Sequence, residues 1–304
     1  MSQQFAQISD PHLSSLAAVQ PADLRGKRVL GYISWQRRRR FEHRREVLAA
    51  LQRDLGRFHF DQLLVTGDLT HVGLPQEFRE AREWLERLGE PAAVAVVPGN
   101  HDAYVGADWG ETFELWRDYM ASDAPDTGRG EPFPSLRVRG EVAFVGISTA
   151  CPKPPLMATG TAGARQLAQL RELLADAARK RLFRVVYLHH SPLPGDERWR
   201  KRLTDAPALR DVLVEEGAEM IVHGHGHRGS LTEVETCHGP APVIAVPSAS
   251  ALGLHGADRA HYNHYTVAGS GEGWRLEIET RGYDPGSRRF SAVDRNRIDL
   301  PRRY

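Results

Sequence analysis

The chain has 304 residues, of which 41% are hydrophobic and 26% are charged, and its formal net charge is +1. This composition is that of an ordinary globular protein, and it excludes a chain that is disordered over most of its length. A net charge so close to zero gives duplex nucleic acid little to hold, so no nucleic-acid partner is predicted.

The cysteines and the hydrophobic runs bear on the compartment. Cys151 and Cys237 show no paired spacing, which is typical of reduced thiols in a reducing compartment. The first predicted strand begins at Phe5, which leaves no room for a signal peptide, and no apolar run approaches the ~18 residues needed to span a bilayer. We therefore expect a cytoplasmic protein.

Hydrophobic periodicity predicts helices and strands that alternate over the first two thirds of the chain. Helices are expected at residues 41–58, 76–88, 109–120, 163–179 and 205–216. Strands are expected at residues 5–9, 63–66, 94–97, 142–147, 184–188 and 220–222, and then at 231–234, 243–246, 265–267 and 274–278 in a largely antiparallel series. This order predicts two sheets packed face to face, with helices outside.

The predicted elements also define the domain organisation. The polar motifs described below extend from residue 10 to residue 227 with no Ser/Gly-rich linker between them, so we expect a single domain over residues 1–281. Residues 282–304 are polar and rich in arginine. We expect them to form a tail whose end, at least, is poorly ordered.

A run of three polar residues, Asn100-His101-Asp102, follows the predicted strand at 94–97. Ligands in open α/β sheets bind beyond the carboxyl ends of the strands, so the three side chains should reach that edge. An Asn oxygen can bind a hard metal, and a His can bind a metal or transfer a proton. An ordinary turn is the alternative explanation of a Gly-Asn pair at this position.

The same arrangement recurs after four other predicted strands. If all five strands end at one edge, their polar residues converge on one site. The candidate metal ligands are Asp10, His12, Asp68, Asn100, His189, His225 and His227. Seven oxygen and nitrogen ligands are too many for one transition metal, so two metal ions that share a bridging carboxylate are the simplest interpretation.

The ordered motifs Asp-x-His, Gly-Asp, Gly-Asn-His-Asp, His and Gly-His-x-His resemble those of the calcineurin-like metallophosphoesterases. The resemblance covers roughly residues 5–280. The flanking sequences, His189-His190-Ser191-Pro192 and residues 246–250, are most similar to the bacterial branch that includes class III cyclic nucleotide phosphodiesterases. This resemblance implies an α/β fold of the four-layer α/β/β/α sandwich type.

The resemblance also implies how the ligands divide between two divalent metal ions. One ion would be held by Asp10, His12 and His227, the other by Asn100, His189 and His225, with Asp68 as the bridge. It implies hydrolysis of a phosphodiester by a metal-bridging hydroxide. The ions could be Mn, Fe, Zn or Co, because carboxylate, amide and imidazole ligands do not distinguish among them.

The remaining histidines divide into catalytic and supporting candidates. His101 is expected to be the general acid, with Asp102 holding its other ring nitrogen; a purely supporting hydrogen bond is the alternative. His190 and His223 are expected to support ligands, and His71 could face substrate. The histidines at positions 43, 59, 238, 255, 261 and 264 are expected to be surface or packing residues.

An arginine-rich segment follows the first motif. Arg37 to Arg40, with Arg44 and Arg45, lie close to Tyr32, Ile33, Trp35 and Phe41. Aromatic and aliphatic residues beside clustered arginines are typical of a segment that contacts an anionic membrane surface, here the inner face of the membrane. A solvated helix and a dimer contact are the alternatives, and the oligomeric state stays open.

Several functions are consistent with the sequence. A dinuclear-metal phosphoesterase acting on a cyclic nucleotide or another small diester comes first. A lipid-linked phosphoester or pyrophosphate is second, because of the arginine-rich segment, and a nuclease is third. A metal-binding interaction module without catalysis is the remaining alternative. The predicted loops that would select the substrate, at residues 13–40, 103–109, 122–133, 151–161 and 251–260, contain no motif.

Overall fold

Two six-stranded sheets form the centre of the protein. The computed structural model describes residues 2–124, 132–254, 256–270 and 273–301. The first sheet has the order β12-β11-β10-β1-β2-β3 and the second the order β4-β5-β6-β7-β9-β8. The strands of the first are β1 (Ser2–Ile8), β2 (Gln62–Val65), β3 (Val94–Val96), β10 (His261–Ser270), β11 (Gly273–Asp284) and β12 (Arg289–Pro301). Those of the second are β4 (Ser135–Arg139), β5 (Val142–Gly146), β6 (Phe183–Tyr187), β7 (Met220–His223), β8 (Ser230–Val234) and β9 (Ala241–Ala245).

Helices flank the two sheets. They are α1 (Lys27–Ser34), α2 (Arg40–Glu42), α3 (Arg45–Leu55), α4 (Pro75–Leu88), α5 (Arg117–Met120), α6 (Ala164–Arg179) and α7 (Ala206–Glu216). The bounds of helix α4 agree with its sequence signals, since Pro75 lies in its first turn and Gly89 lies just past its end. No helix in the described part of the chain is both long and apolar enough to cross a bilayer.

The two sheets pack against each other through aromatic side chains. The ring of Phe5 on β1 meets that of Phe144 on β5 edge-on at 5.0 Å, and Trp274 on β11 meets Phe183 on β6 at 5.6 Å. Outside the second sheet, Leu170 of α6 is fully buried in a cluster that includes Val186 of β6. These layers confirm the predicted α/β/β/α sandwich.

Parallel pairing brings the strand ends to one edge. Strands β1, β2 and β3 pair in parallel, and so do β5, β6, β7 and β9. The predicted ligands follow β1, β2 and β3 in the first sheet and β6 and β7 in the second. The carboxyl ends of five strands from two sheets therefore deliver all seven residues to the region between the sheets.

The predicted C-terminal tail is wrong for residues 282–301; residues 302–304 lie outside the described part of the chain. Strand β11 continues through Gly282 to Asp284, and β12 pairs with it along its whole length. Strand β12 has no clear apolar alternation because it is an edge strand that is exposed over most of its length. Tyr283 and Phe290 are buried in the main hydrophobic core, which shows that this region is part of the domain.

Other elements differ from the prediction more locally. The helix expected at 109–120 is reduced to a 3₁₀ turn (Phe113–Trp116) and the short α5, because Asp108 Oδ1 accepts the N–H groups of Gly110 and Glu111 and holds them in a turn. The expected irregular loop at 13–40 contains α1, which continues into a π-helical turn at Trp35–Arg39. Residues 125–131 of the loop expected at 122–133 lie outside the described residues.

Candidate metal centre

The backbone at the strand ends is held in an unusual conformation. Eight described residues other than glycine have a positive φ, and five of them are predicted ligands: Asp10, His12, Asp68, His225 and His227, with φ between 43° and 67°. Such conformations cost about 1–3 kcal/mol each and persist where the surrounding structure enforces them, often at functional sites. The strain therefore concentrates at the predicted metal centre.

Backbone carbonyl groups orient two of the ligand imidazoles. His12 Nδ1 lies 2.8 Å from the Thr70 carbonyl oxygen, and His189 Nδ1 lies 2.7 Å from that of Thr66. Each Nδ1 must carry a proton in order to donate to these oxygens, so in the neutral ring Nε2 keeps its lone pair. This arrangement is the usual one for a histidine that binds a metal.

The ligand atoms of the two sheets converge in pairs. His227 Nε2 lies 3.2 Å from Asp10 Oδ1, and His189 Nε2 lies 3.4 Å from Asp68 Oδ2. His189 Nε2 also lies 3.2 Å from Asn100 Oδ1. All seven predicted ligands therefore occupy one site, with His12 Nε2 4.0 Å from Asp68 Oδ2 and His225 packed against the His189 ring at 5.0 Å.

Several of these buried atoms lack a hydrogen-bond partner. Asp10 Oδ1, His12 Nε2 and His225 Nε2 are among the buried side-chain atoms that make no hydrogen bond. A buried polar atom without a partner is costly, and lone pairs that point at one another are satisfied by a cation between them. The chemistry of the donor set therefore fits divalent metal ions.

Three groups of side chains bring their ligand atoms within 4.8 Å of one another. They are Asp10, His12 and His227; Asp10, Asp68 and His189; and His189, His190 and His225. The first is the set expected for one ion. The third contains two of the three residues expected for the other ion, whose remaining ligand is the amide of Asn100.

His190 is held by the protein through both ring nitrogens. Nδ1 lies 2.7 Å from Thr149 Oγ1, and Nε2 lies 3.2 Å from the Ala158 carbonyl oxygen. Neither nitrogen has a free lone pair to offer. This arrangement supports a role in packing against His225, whose ring centroid lies 4.4 Å away.

The carboxylates set the electrostatics of the site. Burial alone would lower the pKa of His189, but the Asp68 carboxylate outweighs burial and raises the pKa to about 9. Burial would raise the pKa of Asp10, yet His227 and the other nearby imidazoles hold it well below its usual value. Both shifts mark a site that stabilises positive charge among its carboxylates.

The expected contact between Asp102 and the ring of His101 is wrong. Asp102 Oδ2 accepts hydrogen bonds from the backbone N–H groups of Asp68 (2.9 Å) and Gly99 (2.8 Å), and Oδ1 accepts from that of Thr70 (2.9 Å). The carboxylate is fully used in holding the turn after β2. Asp102 is therefore a residue that positions Asp68.

His101 is held by other groups. Its backbone N–H donates to Asp68 Oδ1 at 2.7 Å, and its Nδ1 lies 2.6 Å from the carbonyl oxygen of His71. The His101 ring stacks on that of Tyr104 at 5.5 Å and meets the ring of His12 edge-on at 5.1 Å. This places the imidazole beside the ligands with Nε2 as its remaining functional atom.

Two residues of the site are not predicted from the sequence. His43, expected to be a surface or packing residue, has its ring 4.4 Å from that of His12, and its Nδ1 lies 2.9 Å from Ser250 Oγ. Arg39 reaches His101, with Nη1 3.0 Å from Nδ1. The arginine run was a signal for Arg39, but no spacing rule singles out His43. His255, another histidine of that group, lies outside the described residues.

Known proteins are similar to this chain in sequence and in fold. A model of the calcineurin-like phosphoesterase family matches residues 4–229. The chain belongs to this family. Membership confirms the predicted enzyme class, that of the metal-dependent phosphoester hydrolases, and the family implies divalent metal ions as cofactors.

Two individual proteins illustrate the similarity. A probable cyclic nucleotide phosphodiesterase from Vesicomyosocius okutanii subsp. Calyptogena okutanii (strain HA) is 22% identical over 231 residues, which are 75% of this chain and 84% of that protein. The solved structure of a dimetal phosphatase from Danio rerio is 15% identical with a TM-score of 0.57, and the match covers 98% of this chain and 99% of that one. The second likeness shows that the two proteins share a fold.

Proposed function

We propose that this calcineurin-like phosphoesterase hydrolyses phosphodiesters with two divalent metal ions bound at the convergent strand ends. The observation that carries the proposal is the set of buried ligand atoms without hydrogen-bond partners, Asp10 Oδ1, His12 Nε2 and His225 Nε2. Buried polar atoms normally have partners, and bound cations would satisfy these three.

The proposed ligands keep the division implied by the sequence motifs. Asp10, His12 and His227 would hold one ion, and Asn100, His189 and His225 the other, with Asp68 between them. When bound, such a pair of ions activates water and neutralises charge on the phosphoryl oxygens. The ions could be Mn, Fe, Zn or Co, since this donor set suits each of them.

The protein itself would supply the proton for the leaving group. Nδ1 of His101 donates to the His71 carbonyl, so Nε2 is the atom available for proton transfer. Burial and then the charge of Arg39 lower the pKa of His101 well below its usual value. The imidazole is therefore neutral in the free protein, and an anionic phosphoester bound beside Arg39 and His101 would favour the protonated form that donates to the leaving alkoxide.

A small diester such as a cyclic nucleotide is the first candidate substrate. The support is the relative from Vesicomyosocius okutanii, which is described as a probable cyclic nucleotide phosphodiesterase. A phosphoester or pyrophosphate carried by a lipid is the second candidate. The exposed apolar and basic side chains beside the site favour it, because a soluble substrate would not need them.

A substrate panel separates these candidates. The protein is stripped with a chelator, reloaded with Mn²⁺, and assayed on bis(p-nitrophenyl) phosphate, p-nitrophenyl phosphate, cyclic nucleotides and a lipid pyrophosphate. We expect the chelated protein to be inactive and the reloaded protein to favour the diester over the monoester. If the reloaded protein hydrolyses no member of the panel, the chain is better described as a metal-binding interaction module.

A further inference from the structure

Exposed apolar side chains are concentrated around the metal centre. Eleven large hydrophobic residues of the described chain are exposed, and seven of them lie on four segments that adjoin the site. We call these seven the apolar rim: Val29, Leu30, Ile33, Phe41, Leu156, Trp199 and Leu254. Leu156 is 74% exposed and has a φ of 67°, so the protein holds a solvent-facing leucine in a conformation that leucine disfavours.

Hydrogen bonds join these four segments into one surface. The backbone N–H of Leu254 donates to the Glu42 carboxylate at 2.8 Å, which fixes this loop beside Phe41. Lys27 Nζ at the start of α1 donates to the Met157 carbonyl at 3.3 Å, next to Leu156. The Trp199 segment joins the same loop, because the Ala158 N–H donates to the Arg200 carbonyl at 2.8 Å.

The same segments reach the metal centre. The Ala158 carbonyl oxygen lies 3.2 Å from Nε2 of His190, beside His225. A cavity of about 540 Å³ extends from His12 and His43 to Arg40 and Phe41. The segments that carry the apolar rim therefore adjoin the proposed catalytic site, and Phe41 lines the cavity that leads to it.

Basic residues are interleaved with the apolar rim. Residues 25–45 contain nine arginines and lysines against one acidic residue, Glu42, which is buried, so the rest of this chain of net charge +1 is acidic. Within the described residues, Arg37, Arg38 and Arg40 are exposed and form no ion pair. The Arg40 guanidinium stacks over the Phe41 ring at 4.6 Å.

Helix α1 turns its apolar side chains outward. Its buried residue is Gly31, where an added Cβ would lie 2.5 Å from Val72 Cγ1, so the helix sits close against the body of the protein on that face. Val29, Leu30 and Ile33 are exposed on the helix. A helix with apolar side chains exposed to solvent and arginines on either side is suited to the boundary of a lipid bilayer.

We propose that the apolar rim and its arginines dock the enzyme on an anionic lipid bilayer, with the metal centre opening toward that surface. The arginines match the negative headgroups, and the leucines, isoleucine and aromatic rings match the acyl boundary. Nucleic acid would use the charge but would leave the apolar side chains exposed. A second copy of this chain would bring two basic segments together, which their repulsion opposes.

Docking in this orientation identifies a substrate class. A site that faces a bilayer meets phosphoesters whose leaving group or retained group is anchored in lipid. This part of the inference rests on the proposed phosphoesterase activity, whereas docking itself does not. Binding is therefore tested without turnover, so that docking and activity can fail separately.

The test is sedimentation of the full chain with vesicles of phosphatidylcholine alone or of equal parts phosphatidylcholine and phosphatidylglycerol. We expect binding to the anionic vesicles only, weakened by added salt. The variant Arg37→Ser with Arg38→Ser should lower the partition coefficient by about fivefold for each arginine. The variant Leu30→Ser with Ile33→Ser should also release the protein.

Matched controls carry the same changes elsewhere. Arg288→Ser with Arg289→Ser, and Val214→Ser with Val293→Ser, alter exposed residues outside the apolar rim and should bind as the wild type does. Wild-type protein that stays in the supernatant at low salt, or rim variants that sediment as well as their controls, would overturn the proposal. So would a stable dimer that the rim variants dissociate.

A second arm tests the substrate class. Bound wild-type protein should hydrolyse a lipid pyrophosphate in anionic vesicles at least tenfold faster than the two rim variants do, while all three hydrolyse bis(p-nitrophenyl) phosphate equally. If the protein sediments but hydrolyses neither substrate, the proposed function fails and docking stands. If the lipid pyrophosphate is hydrolysed equally by wild type and rim variants, docking does not deliver the substrate and that part of the inference is wrong.

Discussion

Nη1 of Arg39 lies 3.0 Å from Nδ1 of His101, while the same Nδ1 lies 2.6 Å from the carbonyl oxygen of His71. A carbonyl can only accept, so Nδ1 carries the proton, and the contact with Arg39 brings two donors together. In the part of the chain that the structure describes, Arg39 has no carboxylate partner. Its charge is therefore available to an anionic oxygen in the site.

Arg39→Ala should weaken substrate binding. A charge-assisted hydrogen bond is worth about 1.5–3 kcal/mol, so we expect kcat/KM for bis(p-nitrophenyl) phosphate to fall roughly 10–100-fold. Calorimetry should also show weaker binding of inorganic phosphate, with metal content unchanged. The control is Arg38→Ala, an exposed neighbour on the same turn. If the two variants behave alike, Arg39 does not contact the phosphate.

Asp68→Ala should remove activity more completely than the loss of a terminal ligand such as His227. Oδ2 of Asp68 lies 4.0 Å from His12 Nε2 and 3.4 Å from His189 Nε2, so removal of the carboxylate affects both proposed ions. Metal analysis after dialysis should show fewer than two ions per chain. Two retained ions together with wild-type turnover would contradict the assignment of Asp68 as the bridge.

His101→Ala should keep both metal ions and slow the reaction according to the leaving group. Loss of a general acid costs about 10²–10⁴-fold, and only a poor leaving group needs the proton. Diesters with alkyl leaving groups should therefore be affected far more than nitrophenyl esters. Equal slowing of both classes would show that His101 positions the substrate instead.

Asp102→Ala should weaken metal binding and leave general-acid catalysis by His101 unchanged. Its loss leaves three buried N–H groups without an acceptor, at about 1–3 kcal/mol each, so the free energy of unfolding and the metal content should both fall. The residual activity should keep the leaving-group dependence of the wild type. If the variant instead shows the leaving-group pattern of His101→Ala, the contact between Asp102 and the His101 ring that the sequence predicts would be supported.

Asp54→Ala tests whether the C-terminal strands belong to the domain. Asp54 on α3 accepts from Arg281 at 2.7 and 3.0 Å and from the Tyr262 hydroxyl at 2.7 Å, all in buried surroundings. Removing one partner of a buried ion pair costs about 3–5 kcal/mol, measurable by urea unfolding. The exposed control Asp211→Ala should change stability by less than about 0.5 kcal/mol. Equal effects would mean that the pair is not coupled to folding.

The parts of this structure that the sequence predicts well are those with strong local signals. Residues 94–97 form a β-branched run that ends in polar residues, and such a run has few alternatives to a buried strand with its ligands at the sheet edge. The same holds for the strands before Asp10, Asp68, His189 and His225. Their order along the chain is sufficient to predict the family.

The parts that the sequence does not predict depend on three-dimensional closure. Asp102 is adjacent to His101, but its partners are N–H groups at Asp68, Gly99 and Thr70, which the folded turns bring together. His43 reaches the site because the segment from α1 to α3 folds back over the site. Hydrophobic periodicity does not predict the path of this segment. Strand β12 is an exposed edge strand, so its residues follow no apolar alternation.

The proposed ligands come from both halves of the sandwich. Asp10, His12, Asp68 and Asn100 follow strands of the first sheet, and His189, His225 and His227 follow strands of the second. Any cation held by both sets cross-links the two sheets at the mouth of the crevice between them. The free energy of ion binding is then also free energy of association between the sheets. A cell that limits the supply of such ions would therefore control the lifetime of this protein as well as its rate of turnover.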